Sequence, residues 1–237
     1  GTGSLFAGLE ATFDVSVTPV ATDVGQLLIL LNQTVVTARD AFTEQDLPKP
    51  QDPYGVSKWE AEQALGGIST QTGMELVVIR SPLVYGPGVR GNFLQLLNIL
   101  HRGIPLPLAS IRNRRSLVYI GNLVDALARC VQDPRAAGRT YFVSDGEDLS
   151  TPDLVRRLRI AMGSKACLWP CPTQFLYWMG QVAGKREIID RLAGSLQVNS
   201  SKIQAELDWR QPFTVDDGLS ETAAWFSTRT TGSMVAL

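Results

Sequence analysis

Tyr54 and Lys58 stand four residues apart in the run Tyr54-Gly55-Val56-Ser57-Lys58, a spacing that puts both on one face of a helix, a turn apart. A phenol titrates near about 10. An ammonium beside it favours the phenolate and lowers that value. Such a pair can take a proton from a substrate hydroxyl and give it back. The same spacing also occurs on solvated helix faces with no chemistry, so its meaning depends on the sequence around it.

The other reactive side chains exclude several mechanisms. The chain of 237 residues has a single histidine, His101, so a triad with a His general base would have to use that one. His101 falls late in a helix, where it complements the helix dipole at the surface, and is given no catalytic role. Cys130, Cys167 and Cys171 are an odd set that suits a reducing compartment, and a cytoplasmic location is expected. They lack C-x-x-C spacing, so no metal site is expected. With 22 basic against 23 acidic side chains, no nucleic-acid partner is expected, because phosphate contacts need a basic face. The longest apolar run, Leu27–Leu31, is far short of a membrane span, and no membrane partner is expected. The first residue is Gly1 rather than Met, and no signal peptide is visible.

From Asp52 onward the apolar periodicity alternates between helix and strand. A helix is predicted over Tyr54–Leu65, with Pro53 at its start, Asp52 as candidate cap and Gly66-Gly67 weakening its end. Met74–Arg80 reads as a buried parallel strand. Asn92–Arg102 carries Phe93, Leu96, Leu97 and Leu100 on one face and stops at Gly103. A strand over Arg115–Ile120, a helix over Leu123–Gln132 and a strand over Thr140–Val143 follow. Ser150 with Asp153 resembles a capping box opening a helix to about Met162. Further helices are predicted over Thr173–Val182, Lys185–Leu192, Ser201–Asp208 and Val215–Ser227, with Thr228–Leu237 fraying. Phe175, Leu176 and Met179 have helical spacing, which favours core or interface over a cofactor box. This order of elements implies an α/β protein with a parallel sheet.

The first 45 residues differ. Leu27–Leu31 is a strand candidate, but Gly1, Gly3 and Gly8 do not form the strand, glycine turn and helix start that a dinucleotide's pyrophosphate needs.

Four stretches in order give the Tyr–Lys pair its context. They are Pro50 to Glu62 around the pair, Val78-Ile79-Arg80-Ser81-Pro82-Leu83-Val84-Tyr85-Gly86-Pro87-Gly88, Arg115 to Ala126, and Ser201 to Trp209 with Gly218-Leu219. Together they resemble the extended short-chain dehydrogenase/reductase family, the nucleotide-sugar epimerases and dehydratases, over about Phe42–Phe226.

The resemblance implies a Rossmann-like parallel sheet flanked by helices, lacking its first βαβ units, with a smaller, mostly helical substrate-binding C-terminal part. Residues 1–41 are then an atypical N-terminal segment. Residues 42–145 are the remainder of the Rossmann-like domain (83–114 contributing to the substrate side), 146–228 the substrate-binding part and 229–237 a tail. It implies NAD as cofactor, with NADP the alternative, a UDP-sugar as substrate, and a homodimer through a bundle that includes the Tyr–Lys helix. Tyr54 is then the acid/base and Lys58 its electrostatic partner, holding the nicotinamide ribose, while Pro82 meets the nicotinamide end. Arg115 clamps the substrate pyrophosphate, a task suited to a guanidinium fork, although Arg114 and Arg115 also fit a solvated basic turn. Asn92 and Arg90 fall where substrate contacts occur. Tyr85 reads as packing with a hydroxyl partner.

The family's Ser or Thr upstream of the Tyr has Thr34 as its best stand-in, with Thr37 second. The expected activity is a 4-epimerase or 4-reductase. A 4,6-dehydratase is less favoured, since it needs an acidic pair beside the catalytic Thr and Thr34 is followed by Val35-Val36. Members carry a longer stretch before the Tyr, so Gly1–Ala41 reads as truncated or substituted sequence. Two other readings stay open: a non-catalytic sugar-nucleotide-binding remnant, and a redox-sensing scaffold that binds cofactor without sugar chemistry.

Overall fold

Val77, Val78 and Ile79 form an apolar run without polar alternation, which is stable as a strand only when both of its faces are covered. The computed structural model describes residues 26–32, 41–48, 50, 53–165, 167–182, 184 and 186–234. In it this run lies in the central strand of a parallel sheet. Strand β1 (Gln26–Asn32) pairs along the whole of β2 (Glu75–Ser81), from Gln26↔Glu75 to Asn32↔Ser81. On the other side β5 (Thr140–Phe142) pairs with Val78, Ile79 and Arg80. Past Pro82 the chain forms β3 (Leu83–Tyr85), which pairs in parallel with β4 (Leu117–Tyr119) as a separate two-stranded sheet. The result is a Rossmann-like α/β arrangement, and Leu27–Leu31 is a strand as predicted.

The helices are α1 (Pro53–Thr72), α2 (Gly91–His101), α3 (Ile120–Gln132), α4 (Thr151–Ala161), α5 (Thr173–Val182), α6 (Arg186–Ala193), α7 (Ser201–Leu207) and α8 (Val215–Met234). Ser150 caps α4 by accepting from the Asp153 N–H at 3.2 Å, as the capping motif predicts.

Several boundaries differ from the prediction, and three of them have a clear physical reason. Helix α1 does not end at Gly66-Gly67 but runs on to Thr72. Two helical glycines cost about 1 kcal/mol each, and packing of α1 on β1 and β2 outweighs that. The chain leaves the helix only at Gly73, whose φ of +72° favours a residue without Cβ. The strand predicted over Arg115–Ile120 is confined to Leu117–Tyr119, because Arg115 instead bridges Leu149 and Leu196 and α3 already begins at Ile120. Helix α8 passes Ser227 and reaches Met234. The Ser227 and Thr228 hydroxyls bond back to the carbonyls of Ala223 and Trp225, hydrogen bonds made within the helix itself.

Two clusters make most of the core. One joins Val77 and Ile79 to Leu123 and Cys130 of α3 and to Ile203 and Leu207 of α7. Burial there pushes the Cys130 thiol up to about 12, so it acts as a small apolar side chain. The second lies around Tyr85, Phe93, Leu97, Leu158, Leu219 and Phe226. Each large side chain buried this way contributes about 1.5–3 kcal/mol. Helix α8 approaches closely at Gly218, where a Cβ would come within 2.7 Å of the Tyr85 hydroxyl and 2.8 Å of the Tyr119 ring.

At the sheet's β5 edge, the Glu44 carboxylate accepts from the Phe142 N–H at 2.9 Å, and Lys202 Nζ donates to the Thr140 carbonyl at 2.9 Å. Among the described residues no helix is long and apolar enough to cross a membrane.

A Cβ at Gly66 or Gly67 meets nothing within 4 Å. Ala at both positions is therefore expected to raise unfolding stability by about 1 kcal/mol per site. Gly73→Ala, at its positive φ, is expected to lower it. Chemical-denaturation midpoints of the three proteins check both signs.

Candidate active site

In a βαβ unit the helix runs antiparallel to its strands, so the N-terminal end of α1 lies at the carboxyl ends of β1 and β2. Ligands of parallel sheets bind at that edge. Tyr54 is the second residue of α1, and Lys58, half-buried, follows one turn later. What fixes this helix is Glu62, one further turn along. Its carboxylate accepts from Arg80 Nη2 at 2.6 Å and Nε at 3.3 Å, with side-chain exposures of 6% for Arg80 and 10% for Glu62. The Arg80 guanidinium also lies 5.9 Å from the ring centres of Trp59 and Phe142.

Arg80 is one residue from the end of β2. At 1.5 Å per residue, Tyr54 lies about 12 Å along the axis from Glu62, toward the helix start. The first two turns of α1 thus extend past the sheet's carboxyl edge. Pro82, buried, continues β2 at that same edge. Lys58, Tyr54 and Pro82 therefore belong to one end of one βαβ unit. The segment leading to α1 is tied down separately, with Phe42 exchanging main-chain bonds with Gln197 and Asn199 at 2.8 Å each.

The substrate-side candidates are spread more widely. Arg90 immediately precedes α2 and Asn92 lies in its first turn, both exposed. Arg115 is half-buried, and its Nη1 donates to the Arg191 carbonyl and, at 3.5 Å, to that of Gly194, at the C-terminal end of α6. Burial lowers its pKa from the usual guanidinium value. Thr34 and Thr37 lie outside the described residues. His101 is exposed at the end of α2, with its ring 5.7 Å from that of Phe226.

Two polar knots that the sequence analysis did not single out hold this side together. Asp145, 4% exposed, accepts from the Tyr119 N–H at 2.8 Å, Asn122 Nδ2 at 2.7 Å and the Tyr85 hydroxyl at 2.8 Å. Asn122 in turn pairs with both main-chain groups of Phe213 at 2.9 Å, so one carboxylate links β3, β4, α3 and the entry to α8. Burial, and then the Asp145 charge, push the Tyr85 phenol far above its ordinary value, so Tyr85 does not serve as a second base. The other knot is Asn113. Its Nδ2 donates to Thr151 Oγ1 and Gly194 O at 2.9 Å and to Leu192 O at 3.1 Å, while its Oδ1 accepts from the Thr151 N–H at 2.8 Å. It thereby fixes the segment that carries Arg115 against the end of α6. The available signal was a polar residue at the end of an apolar run: Arg80 after Met74–Ile79, and Asp145 after Tyr141–Val143.

The family resemblance is matched by comparison with known proteins. Residues 32–144 match the NAD dependent epimerase/dehydratase family. A UDP-glucose 4-epimerase of Vibrio cholerae is 44% identical over 186 residues, covering 78% of this chain and 57% of that protein. An N-acetyl-alpha-D-glucosaminyl-diphospho-ditrans,octacis-undecaprenol 4-epimerase of Escherichia coli O157:H7 is 25% identical over 190 residues, 73% of this chain and 57% of its own. The fold is similar to that of the UDP-glucuronic acid 4-epimerase of Bacillus cereus solved with NAD. The TM-score is 0.68 at 18% identity, over 86% of this chain and 62% of that one. The chain thus spans little more than half the length of these curated relatives.

Glu62→Gln leaves Arg80 buried with its charge uncompensated, and is expected to cost about 3–5 kcal/mol of stability. The double change Glu62→Met with Arg80→Met is expected to recover most of it, checked by urea denaturation. A pH series tests Asp145, whose carboxyl burial holds above its ordinary range. A raised folded value gives a contribution that is full below the ordinary carboxylate pKa and lost as pH rises through the raised one. The stability of Asp145→Asn relative to the parent is therefore expected to improve as pH rises from the carboxylate range. Denaturant midpoints of the two proteins across that range provide the check.

Proposed function

As the chain belongs to the NAD dependent epimerase/dehydratase family, we propose that it carries the acid–base and sugar-nucleotide side of an NAD(P)-dependent 4-epimerase or 4-reductase acting on a UDP-sugar. The single observation that carries this reading is the Tyr54–Lys58 turn at the carboxyl edge of a parallel sheet, on a helix anchored by the buried Glu62–Arg80 pair. Tyr54, one helical turn from Lys58, takes the proton of the reacting sugar hydroxyl and returns it from the same position. Thr34 is the proposed hydrogen-bond partner of that hydroxyl. Arg115 is assigned to the UDP pyrophosphate, and Asn92 with Arg90 to the substrate's sugar side.

The nicotinamide half of a dinucleotide is assigned to this edge, where Lys58 would hold the ribose and the Pro82 backbone would meet the ring. When bound, NAD supplies the hydride acceptor and donor for the sugar carbon. The pyrophosphate-binding glycine turn is not among the described residues. The name of the Vibrio cholerae relative supports UDP-glucose as the first substrate to assay.

A second reading is favoured by coverage, since the chain spans 57% of that relative: a sugar-nucleotide-binding segment that takes no cofactor of its own. Calorimetry with NAD+ and with UDP, together with conversion of a UDP-sugar panel, separates the two. The lead reading expects both ligands to bind and turnover to fall at least about 100-fold in Tyr54→Phe, with UDP binding kept. UDP binding without NAD+ binding selects the second reading. Equal turnover by Tyr54→Phe and the parent rules out the assigned acid–base role.

A further inference from the structure

Helix α5 (Thr173–Val182) has more apolar surface than the chain uses. A helix packed against one neighbour needs an apolar stripe about 100° wide. Leu176 and Gly180 supply one, both buried, with Gly180 against Ile189 of α6. A second stripe of similar width runs along Phe175, Trp178, Met179 and Val182, at the i, i+3, i+4, i+7 positions, and points outward. These side chains are 46%, 60%, 37% and 71% exposed, and the Phe175 and Trp178 rings stack at 5.7 Å. Trp169, on the segment leading into the helix, is 47% exposed as well.

The charge of the sequence running through this helix is one-sided. Helix α5 has no charged residue, and between Asp153 and Glu187 the sequence has six basic residues and no acidic one, in a chain of net charge −1. Arg156 is answered by Asp153, and Arg157 by Glu147 and Asp216. Among the described residues Arg159 and Lys165 have no carboxylate within ion-pair distance. Arg159 donates only to the Leu100 and Lys165 carbonyls. Arg186 meets Asp190 only at 3.9 Å and reaches Gln181, next to Val182, at 3.4 Å.

An outward stripe of Trp, Phe, Met and Val, on a helix with Lys165 before it and Arg186 after it in the sequence, has the chemistry of a helix lying in the headgroup layer of a bilayer. Aromatic rings occupy the boundary with the acyl chains and cations meet the anionic headgroups. We propose that the outer face of α5 seats this chain on an anionic lipid surface. This adsorption is peripheral and needs no membrane span. It is independent of the epimerase reading.

The test uses the 237-residue chain with vesicles of phosphatidylcholine alone and of equal parts phosphatidylcholine and phosphatidylglycerol. Co-sedimentation with the anionic vesicles is expected to exceed that with the neutral ones at least roughly tenfold, and to weaken as salt is raised. Trp178→Asp with Val182→Asp is expected to abolish it while circular dichroism and the thermal midpoint stay unchanged. Brominated acyl chains are expected to quench tryptophan emission in the parent, and less so in Trp178→Phe, a measurement that does not depend on the double variant folding. Equal or absent binding to the two vesicle types, retained binding by the double variant, or no quenching each overturns the proposal. So does a dimer that splits on Trp178→Asp in a chain that ignores vesicles, which would give this face to a second copy.

Discussion

The buried pair between Glu62 and Arg80 is the interaction on which the candidate active-site end depends. A helix packed on a sheet by apolar contacts alone can slide or rotate at small cost, because dispersion and burial are not directional. A bidentate carboxylate–guanidinium contact is directional. With both partners desolvated, only one register of α1 on β2 leaves neither charge alone. Trp59 and Phe142 flank the guanidinium and keep water out. The pair need add no net stability to have this effect: misplacing α1 strands a charge, and Tyr54 and Lys58 are held two turns and one turn away.

Elsewhere, neutral and singly charged polar knots have a comparable effect. Asp145 collects hydrogen bonds from two strands and a helix, and Asn122 passes them on to the start of α8. Asn113 and Thr151 close the end of α6 where Arg115 also donates. Each knot is a buried polar group with its partners supplied, which makes competing arrangements costly. Both lie between elements distant in sequence, so they bind the substrate-side helices to the sheet.

Part of this was legible in the residues. The helix over the Tyr54–Lys58 segment, the unbroken apolar run of β2, the Ser150 cap and the stop at Gly103 are local signals, and the structure follows them. What could not be read was decided by contacts at long range. The glycine pair in α1 weakens a helix locally, but the sheet beneath it overrides that preference. Arg115 looked like the start of a strand, and its pairing with Leu149 and Leu196 depends on residues far along the chain. Tyr85 and Asp145 meet across 60 positions, a separation no periodicity reports. Phe175, Leu176 and Met179 have helical spacing, but spacing does not say which of them faces the core: Leu176 is buried and the other two face outward.

The polar side chains on β5 have a bearing on how the molecule avoids aggregation. Among the described residues no strand pairs beyond β5, which turns the Phe142 N–H and the Thr140 carbonyl away from β2. Unpaired groups of that kind are a template for a stray strand from another chain. Glu44 occupies the donor and Lys202 the acceptor, so each hydrogen-bonding position is already filled by a charged side chain. An incoming strand would have to displace an anion and a cation at once, and with only three residues of edge to pair with it would gain little. Among the described residues, the short β5 edge is thus closed to foreign strands by charged side chains, with no further strand paired to it.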